Sequence, residues 1–589
     1  MYSRLLTAAP LLAASALALP HGHEQRFDYI VVGGGTSGLV VANRLSELKN
    51  VSVAVIEAGG SVYNNVNVTN PNGYGLAFGS EIDWAYETVD QTYAGGKPQT
   101  LRAGKALGGT STINGLAYTR AQDVQIDAWE QVGNKGWNWN ELFKYYLKSE
   151  GVEAPTEQQV ADGVTYNPEF HGTTGPLKVG WKSELVNSTV TDLVKDTWSN
   201  LGVQHNRDIA GGDMTGFNVF PSTLDTQLNV REDAARAYYF PYQNRTNYNV
   251  FLNTEAKKLV WAEDEAGEAV ASGVEVVSSN GQTRTIHANK EVILSAGALM
   301  SSVLLELSGV GNPDILKAAG VPSKVELKSV GESLQDQTNN EYTGTATKSF
   351  DGTSVFVAYP NVEDILKNQT AAVALDVKKK LAKYSQETSK NSVDSVISTE
   401  LVSSAFDVQY DLIFKHKVPL AEVLVTPSDT SFTVEFWSLL PFSRGNIHIT
   451  SANSSSAKIN PNYFQLDWDA TEQVGTAKLI REFFQTAPLN QYFAGETSPG
   501  YDVIPKNATD SQWADWIKSG YRSNFHPVGT TSMLPKERGG VVDTNLKVYG
   551  TKNVRVVDAG VLPFQVCGHL VSTLYAVAEK AADIIKASA

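Results

Sequence analysis

The sequence predicts an α/β protein in which a discontinuous Rossmann-like domain is combined with a second, α+β domain built on an antiparallel sheet. Three observations predict this arrangement. A strand, a glycine-rich turn and a helix follow one another from residue 27, and buried strands typical of a parallel sheet return far along the chain. The segments between them carry patterns that suit antiparallel strands. At 589 residues, the chain is long enough for two domains with separate cores.

The N-terminal element has the spacing of a dinucleotide-binding turn. Residues 27–32 are an apolar, β-rich run, and Gly33, Gly35 and Gly38 follow in the pattern GxGxxG before a predicted helix. In such a turn the first glycine permits the bend, the second lets a pyrophosphate approach the backbone, and the third lets the helix pack closely. A second strand ends at Glu57, where a carboxylate can accept ribose hydroxyl protons. The element therefore indicates bound FAD or NAD.

The cofactor-binding domain is predicted to be discontinuous. Residues 290–295 and 553–557 are typical of buried parallel strands, and a closing helix is expected over residues 570–587. Residues 431–450 instead suit antiparallel strands that would cover the cofactor. We therefore assign residues 25–155, 225–337 and 520–589 to the cofactor-binding domain and residues 156–224 and 338–519 to the substrate-binding domain.

The first 20 residues have the pattern of a signal peptide. Arg4 precedes an apolar stretch that ends in small residues. The alternative, a membrane anchor, is disfavoured because the stretch is short and Pro10 interrupts it. We therefore expect a secreted, extracellular protein with no membrane partner. The formal net charge of −15 argues against a nucleic-acid partner.

Cys567 is the one cysteine, so no disulfide can form within the chain. Its position between Val566 and Gly568 favours a small buried side chain over a thiol nucleophile. Seven Asn-x-Ser/Thr sites permit glycosylation without proving export.

Two histidines near the C-terminus are the candidate catalytic groups. His526 and His569 lie in turns rich in glycine or proline, next to elements of the cofactor domain. Oxidation of an alcohol by a flavin requires a base for the hydroxyl proton, and imidazole has a suitable pKa. One ring can remove the proton while the other holds the same oxygen in line. No HExxH, CxxC or GxSxG motif supports a metal site or a hydrolase.

With these residues, the chain resembles the glucose-methanol-choline (GMC) oxidoreductases, in particular the secreted fungal FAD-dependent glucose dehydrogenases. Residues 104–115 fit the first family signature and residues 297–311 fit the second. The resemblance covers nearly the whole chain after the signal peptide and implies FAD rather than NAD. Relatives that are glucose oxidases usually carry a disulfide, so the single cysteine favours the dehydrogenase branch.

The resemblance also implies roles for individual residues. His526 would be the general base and His569 its partner. The remaining sugar contacts would be Tyr74, Glu435, Arg522 and Asn524. The cofactor would be held by Gly33, Gly35, Thr36, Ser37, Gly38, Glu57, Gly108, Gly109, Thr110, Asn114, Asp558 and Ala559.

The residues themselves leave alternatives for the sugar contacts. Glu435 interrupts an apolar strand and could instead be a charge that faces outward, and Tyr74 could be an ordinary loop aromatic. Arg522, Asn524 and His526 alternate, so in an extended segment all three would point the same way. That spacing favours a shared site.

The predicted function is oxidation of the C1 hydroxyl of β-D-glucose to glucono-1,5-lactone. The electrons would pass to a quinone or another soluble acceptor rather than to oxygen. Three alternatives stay open: an oxidase of the same family acting on glucose or an aryl alcohol, a hydroxynitrile lyase in which FAD is structural, and a flavin-binding protein without activity.

Overall fold

The computed structural model describes residues 25–263, 267–452 and 457–588. The predicted signal peptide, residues 1–20, lies outside the described residues. The fold is α/β with two main sheets, as the sequence predicts.

The first sheet has seven strands and a mostly parallel centre. Arg26–Val32 lies between Val53–Ile56 and Thr283–Leu294, parallel to both. Buried side chains fill this centre, since Ile30, Val31 and every residue of Val53–Ile56 are at most 2% exposed. Across the sheet the strand order is Tyr248–Phe251, Val53–Ile56, Arg26–Val32, Thr283–Leu294, Ala271–Ser278 and Thr254–Trp261, and Val554–Val556 pairs with the end of Thr283–Leu294.

The first helix, Thr36–Leu45, begins directly after the glycine turn. Its apolar side chains are buried against the sheet and against Val571–Ala587, the closing helix, which in turn packs on Trp139–Ser149. The carboxyl ends of the strands Arg26–Val32 and Val53–Ile56 and the start of this helix therefore meet at one edge of the sheet, where open α/β sheets bind ligands.

The second sheet is antiparallel. Ala421–Ser438 pairs with Thr338–Phe350 on one side and with Phe356–Tyr359 on the other. Across this sheet the strand order is Phe493–Ser498, Thr338–Phe350, Ala421–Ser438, Phe356–Tyr359 and Gly216–Val219. Arg522–Ser523 pairs with the start of Thr338–Phe350. Two strands predicted together within residues 431–450 belong to different sheets, because Gly445–Ile449 pairs with Glu332–Leu334 and Ala457–Asn460 in a third, small sheet.

The helices surround these sheets. The longest, Thr370–Asn391, packs against Thr399–Phe414, while Asp467–Gln485 packs on the second sheet. The other helices are Val66–Thr69, Asp123–Gln131, Glu157–Ala161, Ser188–Asn200, Ala234–Tyr238, Gly297–Leu307, Pro313–Ala318, Val362–Leu366 and Asp510–Gly520. Within the described ranges, none of the helices combines the length and the apolar character that crossing a bilayer requires.

All strands of the first sheet fall in the ranges assigned to the cofactor-binding domain, and most of the second sheet falls in the other ranges. The exceptions are Arg522–Ser523, which joins the second sheet, and Glu332–Leu334, which joins the third. The division into two domains with those boundaries stays a prediction.

Candidate active site

A deep cavity lies between the ligand-binding edge of the first sheet and the inner face of the second. It contains about 2270 Å³ of space between protein atoms, part of it open to solvent. The N-terminal glycine turn lines one end and the two candidate histidines line the other. An elongated cofactor and a small substrate could therefore share it.

The glycine turn is shaped by close approaches of backbone to backbone. Gly33 has φ of +105°, and a Cβ there would lie 2.3 Å from the carbonyl oxygen of Ser295. A Cβ at Gly38 would lie 2.0 Å from the carbonyl oxygen of Gly33. At Gly35, in contrast, a Cβ would meet only Gly109 Cα, at 3.6 Å, on the wall of the cavity. The turn therefore leaves room for a ligand at Gly35, whereas Gly38 serves the packing of the helix and does not line the cavity.

A second glycine turn continues this wall. The amide of Gly108 donates to the Gly34 carbonyl (2.7 Å), so the two turns are held together, and Gly109, Thr110 and Asn114 line the cavity. Gly108 itself does not line it, and a Cβ there would lie 2.6 Å from Cγ2 of Thr112 and 3.1 Å from Oδ1 of Asp233. Apart from Gly38 and Gly108, all the predicted cofactor residues line the cavity, and their contacts with the cofactor stay a prediction.

Two buried carboxylates mark the cofactor end of the cavity. Glu57 accepts hydrogen bonds from the amides of Gly34 and Gly59, both at 2.8 Å, and burial raises its pKa to about 7. Asp558 accepts from the Ser301 hydroxyl (2.6 Å), and burial raises its pKa to about 6. Asp558 also begins a short 3₁₀ turn that includes Ala559, so both residues face the cavity from the start of that turn.

These features fit a dinucleotide. An acid at the end of the second strand can accept ribose hydroxyls, and the helix that begins at Thr36 has its N-terminus at the cavity, where it could bind a pyrophosphate. Gly35 and Gly109 provide the uncrowded backbone that such a group needs.

The two candidate histidines lie side by side at the other end. Their ring centroids are 5.4 Å apart, with the ring planes at 84°. Nδ1 of His526 lies 2.7 Å from the amide oxygen of Gln337. Burial, followed by electrostatic interactions with the His569 and Arg522 side chains, lowers the pKa of His526 well below its usual 6.5. His526 is therefore a neutral imidazole at neutral pH.

His569 lies next to an acid, Glu422, that was not among the predicted site residues. Nε2 of His569 lies 3.0 Å from Oε1 of Glu422, a fully buried carboxylate. Neither carboxylate oxygen of Glu422 has a well-aligned hydrogen bond within the described residues. The ring of His569 also contacts Trp437 edge to face at 5.5 Å. The signal for Glu422 was a charged residue in the apolar run 419–425, the same signal that marked Glu435.

Asp336 and Ser523 hold the segment that carries His526. The buried Asp336 carboxylate accepts from the hydroxyls of Ser523 (2.5 Å) and Tyr463 and from the amide of His526 (2.9 Å). Phe525 has φ of +62°, so the expected extended segment exists only at Arg522–Ser523. The expectation that residues 522–526 are extended, with alternate side chains on one side, is therefore wrong at Phe525. Phe525 lines the cavity together with Arg522, Asn524 and His526.

The remaining predicted sugar contacts also line this end. Arg522 forms an ion pair with Glu435, and each side chain is about one-third exposed. Glu435 therefore does not face outward on its strand, because it borders the cavity. Tyr74 lies at the rim, 44% exposed, with its ring edge to face on Phe78 at 5.3 Å. Cys567 is fully buried in the core and, as expected, is no nucleophile at this site, since burial raises the pKa of its thiol.

Known proteins resemble this chain over nearly its whole length. Family models described as GMC oxidoreductase match residues 27–339 and 441–578. A "Glucose oxidase-like protein fsoC" of Humicola fuscoatra is 44% identical over 98% of this chain and 99% of its own. A "Glucose oxidase" of Aspergillus carbonarius is 34% identical over 99% of both chains.

Solved structures are similar over the same length. An FAD-dependent oxidoreductase from Chaetomium thermophilum superposes with a TM-score of 0.87 at 25% identity, covering 95% of this chain and 99% of that one. A fungal aryl-alcohol oxidase superposes with a TM-score of 0.85 at the same identity and coverage. The cofactor is FAD, and the two glycine turns, Glu57 and Asp558 are the residues that fit it. With both family models matched and close relatives aligned from end to end, this chain belongs to the GMC oxidoreductase family.

Proposed function

We propose that this protein oxidises the C1 hydroxyl of β-D-glucose to glucono-1,5-lactone and passes the electrons to a quinone or another soluble acceptor other than oxygen. The observation that carries the proposal is the pair of imidazoles, 5.4 Å apart, on the wall of the same cavity that contains the cofactor turns. When bound there, FAD accepts the hydride that leaves the carbinol carbon.

His526 is the proposed general base. Its lowered pKa keeps the ring neutral, so that it can accept the hydroxyl proton as the hydride leaves. His569 would hydrogen-bond the same oxygen, while its ring packs edge to face on Trp437 and its Nε2 lies 3.0 Å from Oε1 of Glu422. Neither histidine needs a metal for this division of work.

The polar wall around the histidines suits a polyhydroxylated substrate. Arg522 offers hydrogen-bond donors, Glu435 offers acceptors, and Asn524 offers both. Since Arg522 and Glu435 already pair with each other, sugar hydroxyls can insert beside a neutralised ion pair without leaving either charge uncompensated. An aryl alcohol would leave most of these groups unused, and this mismatch supports a sugar.

The second candidate is an oxidase that reduces oxygen. The names of relatives such as the Aspergillus carbonarius "Glucose oxidase" favour it. The two candidates share the sugar half-reaction and differ only in how the reduced cofactor is reoxidised.

A two-step assay tests both parts. Purified holoenzyme is mixed with glucose, xylose, maltose and an aryl alcohol without oxygen, and the absorbance of the flavin is followed. The proposal expects glucose to bleach the flavin, and an unchanged spectrum would reject the sugar assignment. Reoxidation with a quinone or with air, with hydrogen peroxide measured per turnover, then separates dehydrogenase from oxidase.

We also propose that the protein is secreted after removal of residues 1–20 and that residues 25–155, 225–337 and 520–589 form its FAD-binding domain. The N-terminal sequence of protein recovered from culture medium tests the first point, and limited proteolysis of holoenzyme and apoenzyme tests the second.

A further inference from the structure

One side chain beside the proposed base His526, that of Gln337, contacts the base itself. Gln337 is fully buried, and its side chain reaches His526 from the start of the strand Thr338–Phe350. Its amide oxygen lies 2.7 Å from Nδ1 of His526, and its amide nitrogen donates to the carbonyl of Leu439 (3.3 Å). The bond to Leu439 fixes which end of the amide faces the imidazole.

Because an amide oxygen only accepts hydrogen bonds, the 2.7 Å contact requires a proton on Nδ1. The amide nitrogen of Asn524 lies near the same atom, but at 3.1 Å. Both contacts cannot be satisfied by one neutral tautomer, since Asn524 would need Nδ1 as an acceptor. The shorter contact favours the tautomer with the proton on Nδ1.

The other ring nitrogen is then the reactive one. Nε2 of His526 has no hydrogen-bond partner among the described residues. This atom is also not fully buried, since the buried polar atoms without a partner do not include it. Since the ring lines the cavity, Nε2 is accessible from it. A neutral imidazole with its proton on Nδ1 has its lone pair on Nε2, as a base for a substrate in the cavity requires.

We propose that Gln337 is a positioning residue that keeps the proton of His526 on Nδ1 and so leaves the lone pair on Nε2. The inference rests on the proposed function for its meaning, but the tautomer itself is a property of the resting protein. No bond is made or broken at Gln337. In the reaction the hydroxyl proton moves to Nε2, and Gln337 accepts a hydrogen bond from Nδ1 before and after.

The charged side chains around His526 and His569 are Arg522, Glu435, Asp336 and Glu422, and none of them fixes the tautomer of His526. Arg522 lies on the same segment, and its charge is paired with Glu435. The Asp336 carboxylate accepts from the backbone amide of His526 rather than from its ring. Behind His569, Glu422 faces the partner imidazole. Among the described residues, a carboxylate at position 337 would therefore be the first acid in direct contact with the ring.

Two substitutions test the proposal in opposite directions. Gln337→Glu keeps an oxygen acceptor at Nδ1 and adds a negative charge, which stabilises the imidazolium. We expect the acidic limb of the kcat/KM profile to move up by about 1 pH unit or more.

Gln337→Leu removes the acceptor and leaves Asn524 as the one amide near Nδ1, which favours a proton on Nε2. We expect kcat to fall by about 100-fold with little change in KM, since the lone pair then faces away from the substrate.

A direct measurement accompanies the kinetics. In holoenzyme labelled with ¹⁵N-histidine, the shifts of the His526 nitrogens, assigned by comparison with His526→Ala, distinguish the two neutral tautomers. The wild type should show protonated Nδ1, and Gln337→Leu should show protonated Nε2. Gln204→Glu, the same change at an exposed site, is the charge control and should leave the pH profile in place.

The outcomes separate the two claims. Protonated Nε2 in the wild type, or an unshifted pH profile in Gln337→Glu protein with normal flavin absorbance, overturns the role of Gln337. If no sugar reduces the wild-type flavin, the proposed function fails, while the ¹⁵N shifts still report the tautomer. Should Gln337→Leu not fold, Gln337→Glu and the wild-type shifts decide.

Discussion

Two buried histidines outside the cavity should make the protein more stable in acid than in mild base. Nδ1 of His448 lies 2.7 Å from Glu306 and its Nε2 lies 3.1 Å from Glu332. This cluster joins the helix Gly297–Leu307 to the third sheet. Although burial opposes the charge, the two carboxylates raise the pKa of His448 to about 9. His171 between Glu150 and Asp208 has the same arrangement and also a pKa of about 9.

The direction and the size of this effect on stability follow from the linkage between proton binding and folding. An unfolded histidine titrates near 6.5, so below that pH the ring is protonated in both states and its full contribution to stability is present. Between about 6.5 and about 9 only the folded state holds the proton, so the contribution is lost as the pH rises. The shift corresponds to about 3 kcal/mol for His448 as an upper figure.

Thermal unfolding of the holoenzyme at pH 6 and pH 9 tests this reasoning. The difference in Tm between wild type and His448→Gln should be large at pH 6 and should shrink toward pH 9. His416→Gln, at an exposed histidine, is the matched control and should show no such trend. A difference that is independent of pH, or one that grows toward pH 9, would refute the assignment of a charged, doubly paired imidazole.

Three further predictions concern the cavity. His526→Ala should lower turnover by about 100-fold or more while the flavin spectrum is retained, and a near-normal rate would remove His526 as the base. Gly35→Ala should fold normally but release FAD more readily, whereas Gly38→Ala should destabilise the whole protein because its Cβ would lie 2.0 Å from a carbonyl oxygen. Measurements of Tm and of cofactor content distinguish these two variants. Gly495→Ala is the control, because a Cβ at Gly495 would meet open space. Arg522→Met should raise KM for glucose about tenfold or more, since it removes donors and leaves Glu435 unpaired; an unchanged KM would contradict a sugar contact.

The cofactor end of the fold was predictable because its signals are local. The strand, turn and helix around Gly33 are specified by residues that are neighbours in the sequence, and the described strand and helix bounds differ from the prediction by about two residues. The long strand Thr283–Leu294 was predicted only for its buried end, since its first half is partly exposed and pairs antiparallel.

The substrate end was less predictable because it depends on contacts between distant segments. Glu422 meets His569 from a strand of the second sheet, and Gln337 meets His526 across 189 positions of sequence separation. The charge of Glu422 in an apolar run marks a candidate site residue but does not identify its partner, and Gln337 carries no such signal. The left-handed conformation of Phe525 was also hidden, since that conformation is set by Asp336 and Ser523 rather than by the residue itself.

The central claim is that the neutral imidazole of His526 takes the hydroxyl proton of a sugar while FAD accepts the hydride. The most direct test is the rate of flavin bleaching by glucose in the absence of oxygen, measured for wild type and His526→Ala at equal FAD content. The account predicts rapid bleaching in the wild type and a rate at least about 100-fold lower in the variant. Equal rates in the two proteins, or no bleaching of the wild type by any sugar, would contradict it.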